Sequence, residues 1–230
     1  LSALETLVSP ISVESEVGAT GILNQTSSNM VMKLIEIFDE HQMDVSSLGL
    51  KPVSAHKIGH AAMSLRRYDW AETCFGVAYA SSPGNANVLE ALEFIAIERG
   101  DEVLRRHWLE ARMTVNPDNP ELLRAHAHLL AKMGDMEAER DVLRLEALGL
   151  DTPADRSLLS GLRARAGSRS EALEAIEQAL AEDPTQSKDW LSYARLLFDE
   201  GESSKALDAA DKCLQIDRQC GGAWALTATI

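Results

Sequence analysis

His56 and His60 stand four residues apart, a spacing that puts two imidazoles on one face of a helix, where a metal ion could bridge them. Lys57 follows His56, so the Glu that acts as general base in the His-Glu-x-x-His metalloproteases is missing, and no metal is expected. His126 and His128 lie two apart and point to different sides of a helix. The three cysteines, Cys74, Cys213 and Cys220, are odd in number and show no paired spacing, which reads as core thiols of a reducing compartment. Cys220, beside Gly221 and Gly222, reads as exposed, with no neighbouring base to make it a nucleophile. No Ser-His-Asp arrangement, phosphate loop or carboxylate pair stands out, so the chain reads as noncatalytic and free of cofactors.

The elements that would have to position any such residues are helices. Ser170 to Pro184, SEALEAIEQALAEDP, spaces Ala172, Leu173, Ile176, Ala179 and Leu180 along one helical stripe. Ser170 supplies a capping acceptor, Glu171 and Glu174 suit the positive end of the helix dipole, and Asp183-Pro184 stops the helix. Ala172 and Ala179 leave room for a second helix backbone. Leu158, Leu159, Leu162 and Ala166 provide it just upstream of Gly167.

This unit recurs. Ala71, Phe75, Ala78 and Pro83 repeat the offsets of Ala172, Ile176, Ala179 and Pro184, and Ala206, Ala210 and Cys213 repeat them again after Trp190, Tyr193 and Ala194. Weaker copies run from Gly100 to Pro117 and from Gly134 to Pro153. The prolines at 83, 117 and 184 are separated by 34 and 67 residues, about one and two periods.

These residues, with Ile58-Gly59 and Gly201, resemble the tetratricopeptide repeat, whose pattern is W-x2-L-G-x2-Y, then A-x3-F, A and P. The resemblance implies an all-α, right-handed α-solenoid of antiparallel helix pairs, with five repeats at 52–85, 86–119, 120–152, 153–186 and 187–220. In repeats two and three the turn looks one residue short: Leu104, Trp108 and Ala111, and Ala138, Val142 and Leu145, each come one position early. Repeat four has Arg156 and Ser160 in place of the Trp and the Gly.

Outside the repeats, residues 1–26 read as an extended or mobile arm whose Leu4, Leu7, Val8 and Ile11 could dock in its own groove or on another subunit. Residues 27–51 read as a capping helix, carried by Met30, Val31, Leu34, Ile35, Ile37 and Phe38, followed by a linker. Residues 221–230 read as a short capping helix or the start of a sixth repeat, with Trp224 at the Trp position. A cytoplasmic location is the expectation; because the chain does not begin with Met, a secreted or periplasmic one stays open.

Across the 230 residues, 22 basic side chains face 36 acidic ones, a net charge of −14 that disfavours general nucleic-acid binding. No apolar run is long enough to insert in a membrane. The resemblance carries six positions of each first helix onto a concave face. Those thirty positions hold six basic residues (Lys57, Arg124, Lys132, Arg165, Lys188, Arg195) and four acidic ones (Glu90, Glu98, Glu121, Asp199), opposite in sign to the body.

The function this implies is a noncatalytic scaffold or adaptor whose groove takes a partner peptide carrying acidic residues. Lys57, His60, Phe94, Arg124, His128, Lys132, Arg165, Lys188, Arg195 and Phe198 would line it. Reversing Arg124 and Arg195 to Glu is then expected to weaken capture without lowering the melting temperature. The Lys/Asn carboxylate clamp that grips chaperone tails is missing, because His56, His60, Ala91, Glu121 and Ala125 occupy its positions. The alternatives are a self-associating assembly protein, a homo-oligomer built through its arm or solenoid ends, and the repeat region of a larger multidomain protein.

Overall fold

A computed structural model of the chain describes residues 25–40 and 45–230. The arm expected over residues 1–26 therefore lies almost wholly outside the described residues. Twelve α-helices and one short 3-10 helix account for the described elements, with no strand among them. The chain divides into two compact units, residues 1–117 and 118–230.

In the first unit, α1 (Gln25–Glu40) precedes a 3-10 turn at Val45–Leu48 and two helix pairs: α2 (Pro52–Ser64) with α3 (Tyr68–Ser81), and α4 (Ala86–Arg99) with α5 (Glu102–Val115). Ile35 and Phe38 of α1 are buried in one core with Val45, Ile58, Trp70, Phe75 and Ile95, and Phe38 meets Trp70 edge-on at 5.2 Å. A helix capping the first pair is stabilised in this way because it covers an apolar face that would otherwise be open.

The second unit holds α6 (Pro120–Met133) with α7 (Ala138–Ala147), α8 (Pro153–Ala166) with α9 (Arg169–Glu182), α10 (Ser187–Asp199) with α11 (Ser203–Ile216), and α12 (Gly221–Thr229). Each helix packs on the next in sequence, and the core passes from pair to pair: Ala127, Val142, Leu159 and Ala175, then Ala172, Ile176, Leu180 and Leu196, then Ala194, Ala210, Cys213 and Ala223. Each unit is thus an all-α stack with no single centre.

Local chemistry sets the helix starts. Asn85 and Asn119 accept from the first-turn amides of α4 and α6, and Thr152 with Asp155 forms a reciprocal capping box on α8. Within pairs, the chain reverses through one left-handed residue, such as Gly100 (φ 69°) or Gly167 (φ 86°), whose amide closes the helix end. In the first pair Arg66 (φ 57°) holds that position.

The residue seven positions into the first helix of each pair is buried: Gly59, Glu93, Ala127, Ser160 and Ala194. The one-residue shortening holds for the third pair, where Ala138, Val142 and Leu145 are buried, and does not hold for the second. There Leu109 is fully buried at the offset of Phe75, while Leu104 and Trp108 are only half-buried. Arg105 and Arg112 occupy the small-residue offsets of the second pair because they meet Glu93, a charge where the other pairs have a small residue.

Candidate functional site

In the second unit, the residues expected to bind a partner sit on the first helices of successive pairs: Arg124, His128 and Lys132 on α6, Arg165 on α8, and Lys188, Arg195 and Phe198 on α10. These helices are neighbours, α6 to α8 and α8 to α10. His128, Lys132, Arg165, Lys188 and Arg195 are exposed, and Phe198 is half-buried against the last core cluster. Arg165 donates to the Ala131 carbonyl at 3.2 Å, which lays its side chain across from α8 to α6. Arg195 lies against α12: a Cβ built on Gly222 would be 2.9 Å from its Nη2.

Arg124 departs from the expectation. Its Nε donates to Asp155 Oδ2 at 2.9 Å and its Nη2 to the Leu150 carbonyl. Asp155 is 2 % exposed and also accepts from the Thr152 amide and hydroxyl. The Arg124 guanidinium therefore neutralises a buried cap carboxylate, and reversing it would strand that charge. The idea that an Arg124→Glu change leaves stability untouched is corrected on this ground.

In the first unit, Lys57 and His60 lie on α2 and Phe94 on α4. His60 packs edge-on against His56 at 4.6 Å and against Phe75 at 5.0 Å, so its ring belongs as much to the helix contact as to any surface. Burial lowers the pKa of both histidines, and His56 adds a further lowering at His60. Both are neutral at pH 7. Phe94 (41 % exposed) and Ile97 (45 %) form an apolar patch beside Tyr68, whose hydroxyl donates to Glu98 at 2.9 Å. A cavity of about 340 Å³ opens near the start of α2, lined by Val53, His56, Lys57, Ala78, Asn85 and Asn87 among others. Among the described residues, no group of three or more His, Cys, Asp or Glu side chains is placed to hold a metal ion.

Searches of known sequence families and of curated proteins returned no match. Solved structures do match. YrrB, described as a TPR protein with an unusual peptide-binding site, aligns over 86% of this chain and 97% of its own at 16% identity, with a TM-score of 0.65. MamA from Desulfovibrio magneticus RS-1 aligns over 74% of this chain and 96% of its own (12% identity, TM-score 0.60), and PilF of Pseudomonas aeruginosa over 76% and 80% (18% identity, TM-score 0.56). The fold is that of the tetratricopeptide repeat. One hydrogen bond recurs within this chain. The Trp190 indole donates to the Pro184 carbonyl at 2.8 Å, and Trp224 repeats the bond to the Arg218 carbonyl at 3.0 Å, six residues back in each case.

Within this tetratricopeptide stack, three polar arrangements were not read from the sequence. Glu93 is buried between the paired helices and held by Arg112 and, at 3.7 Å, by Arg105. His126 Nδ1 meets Asp141 Oδ2 at 2.6 Å, both buried between α6 and α7. The third is the pair Cys213 and Cys220, packed in one core cluster. The signal for the first was present: Arg105 and Arg112, seven apart, share a face of α5 at offsets that hold alanine in other repeats. The other two depend on how helices face each other, which residue spacing alone leaves open.

Proposed function

We propose that the chain is a noncatalytic binding scaffold, and that the exposed face of α6, α8 and α10 in the second unit takes a partner segment rich in acidic residues. The observation that carries this is the sign of that face. Its eighteen inherited positions hold five basic residues and two acidic ones, Glu121 and Asp199, in a chain of net charge −14. With Arg124 committed to Asp155, the exposed cations are Lys132, Arg165, Lys188 and Arg195, and Leu191 and Phe198 add apolar contact. Guanidinium and ammonium groups along neighbouring helices suit carboxylates spaced along a peptide. Peptide binding by YrrB, a protein of the same fold, is consistent with this reading.

Labelled peptides test it. An extended peptide alternating Glu with Leu should raise fluorescence anisotropy on titration with the protein, and its Gln counterpart should bind at least tenfold more weakly. Raising salt from about 50 mM to about 500 mM should weaken the acidic peptide selectively, because the screening length for exposed charges falls from roughly 14 Å to about 4 Å. Equal binding of both peptides at low salt would contradict the proposal.

A further inference from the structure

Cys213 and Cys220 belong to consecutive helices yet share one core. Cys213, in the last turn of α11, is fully buried. Cys220, at the N-cap of α12, is half-buried and packs on the cluster formed by Ala206, Ala210, Cys213 and Ala223. The turn between them is held by backbone bonds, with the Asp217 amide donating to the Cys213 carbonyl at 2.8 Å and the Cys220 amide to the Asp217 carbonyl at 3.1 Å. Trp224 pins the same turn through the Arg218 carbonyl. The two thiols are thereby held against one core cluster, near enough for Cys220 to raise the pKa of Cys213.

We propose that Cys213 and Cys220 are a reversible oxidation site, closing to an intramolecular disulfide across the turn between α11 and α12. The oxidant is hydrogen peroxide or a chemical equivalent. The Cys220 thiolate attacks the peroxide O–O bond, giving a sulfenic acid and, after protonation, one water. The Cys213 sulfur then attacks the sulfenic sulfur, the S–S bond forms, and its proton leaves with the hydroxyl as a second water. Two thiols are oxidised and one peroxide is reduced to two waters. The order of events follows from the environment. Burial and the nearby Cys220 push the Cys213 thiol up to about 12, so it stays protonated while the more accessible Cys220 meets the oxidant. The bridge would fix the start of α12, whose Gly222 lies against Arg195 of the proposed binding face.

Trypsin separates the two cysteines, since it cuts after Lys212 and Arg218. The full chain is treated with dilute hydrogen peroxide, alkylated, digested without reductant and read by mass spectrometry. The expected product is CLQIDR joined to QCGGAWALTATI, two hydrogens lighter than the separate peptides and released by a reductant, with Cys74 still alkylated. Cys213→Ala and Cys220→Ser should each abolish it. Alanine fills the Cys213 offset at Ala78 and Ala179 and should preserve folding. Cys74→Ser should leave the product unchanged. Cys220 recovered as a sulfinic acid beside an alkylated Cys213, or linked only to Cys220 of a second chain, would overturn the proposal.

Discussion

Gly59 is where the first helix pair closes. A Cβ at that position would sit 2.9 Å from Phe75 Cζ, and the ring is fully buried with nowhere to withdraw. Gly59→Leu should therefore cost about 1–3 kcal/mol by overpacking, seen as a lower urea midpoint, and an unchanged midpoint would mean the contact is slack. Arg124→Glu should also destabilise, by about 1–3 kcal/mol or more, because Asp155 keeps Thr152 but loses its counter-charge. A melting temperature equal to wild type would show that Asp155 finds another partner. His56 and His60 give a pH dependence. Burial lowers both from the ordinary 6.5, so the unfolded chain binds protons that the folded chain refuses. Their contribution is intact above about pH 6.5 and is lost as pH falls below it. Urea midpoints between about pH 7.5 and about pH 5.5 should drop, and the double variant His56→Leu/His60→Leu should flatten that drop. An identical slope in the variant would assign the dependence to other groups.

At the scale of the element, the turn inside each pair is the most uniform feature. Four pairs place a glycine in the left-handed region, at Gly100, Gly134, Gly167 and Gly201, and the first pair places Arg66 there. An L side chain in that conformation is strained by about 1 kcal/mol, so Arg66→Gly should raise stability by several tenths of a kcal/mol to about 1, measured by urea unfolding. Lower stability would show that the Arg66 side chain does more than tolerate the turn. The same elements explain what was legible. Helices starting at Pro52, Ala86, Pro120, Pro153, Ser187 and Gly221 follow from caps, prolines and small residues at fixed offsets, all local signals. The second pair departs from the expected register because that register is carried by Glu93, Arg105 and Arg112. An ion cluster gives no apolar stripe, so Leu104 and Trp108 looked like the buried set. The third pair truly loses a residue: α8 begins 33 positions after α6 and α7 has only 10 residues.

At the scale of the whole molecule, an acidic chain carries the exposed cations Lys132, Arg165, Lys188 and Arg195 of the proposed face on three neighbouring helices of one unit, and an apolar patch around Phe94 and Ile97 in the other. The sign of the basic face could be read by carrying family positions onto Arg165, Lys188 and Arg195. The engagement of Arg124 could not, since Asp155 lies 31 residues away and meets it only through packing of α8 on its neighbours. Lys188 and Arg195 are the cleaner probes. Both are exposed, and a Glu at 188 suits the first turn of α10, so their reversal should stay within about 0.5 kcal/mol of wild-type stability. The decisive measurement is capture of cellular proteins on immobilised wild type and on Lys188→Glu/Arg195→Glu, read by quantitative mass spectrometry beside matched melting curves. The scaffold reading predicts partners with acidic segments that the wild type retains and the variant loses at equal melting temperature; the same partners retained in equal amounts by both would contradict it.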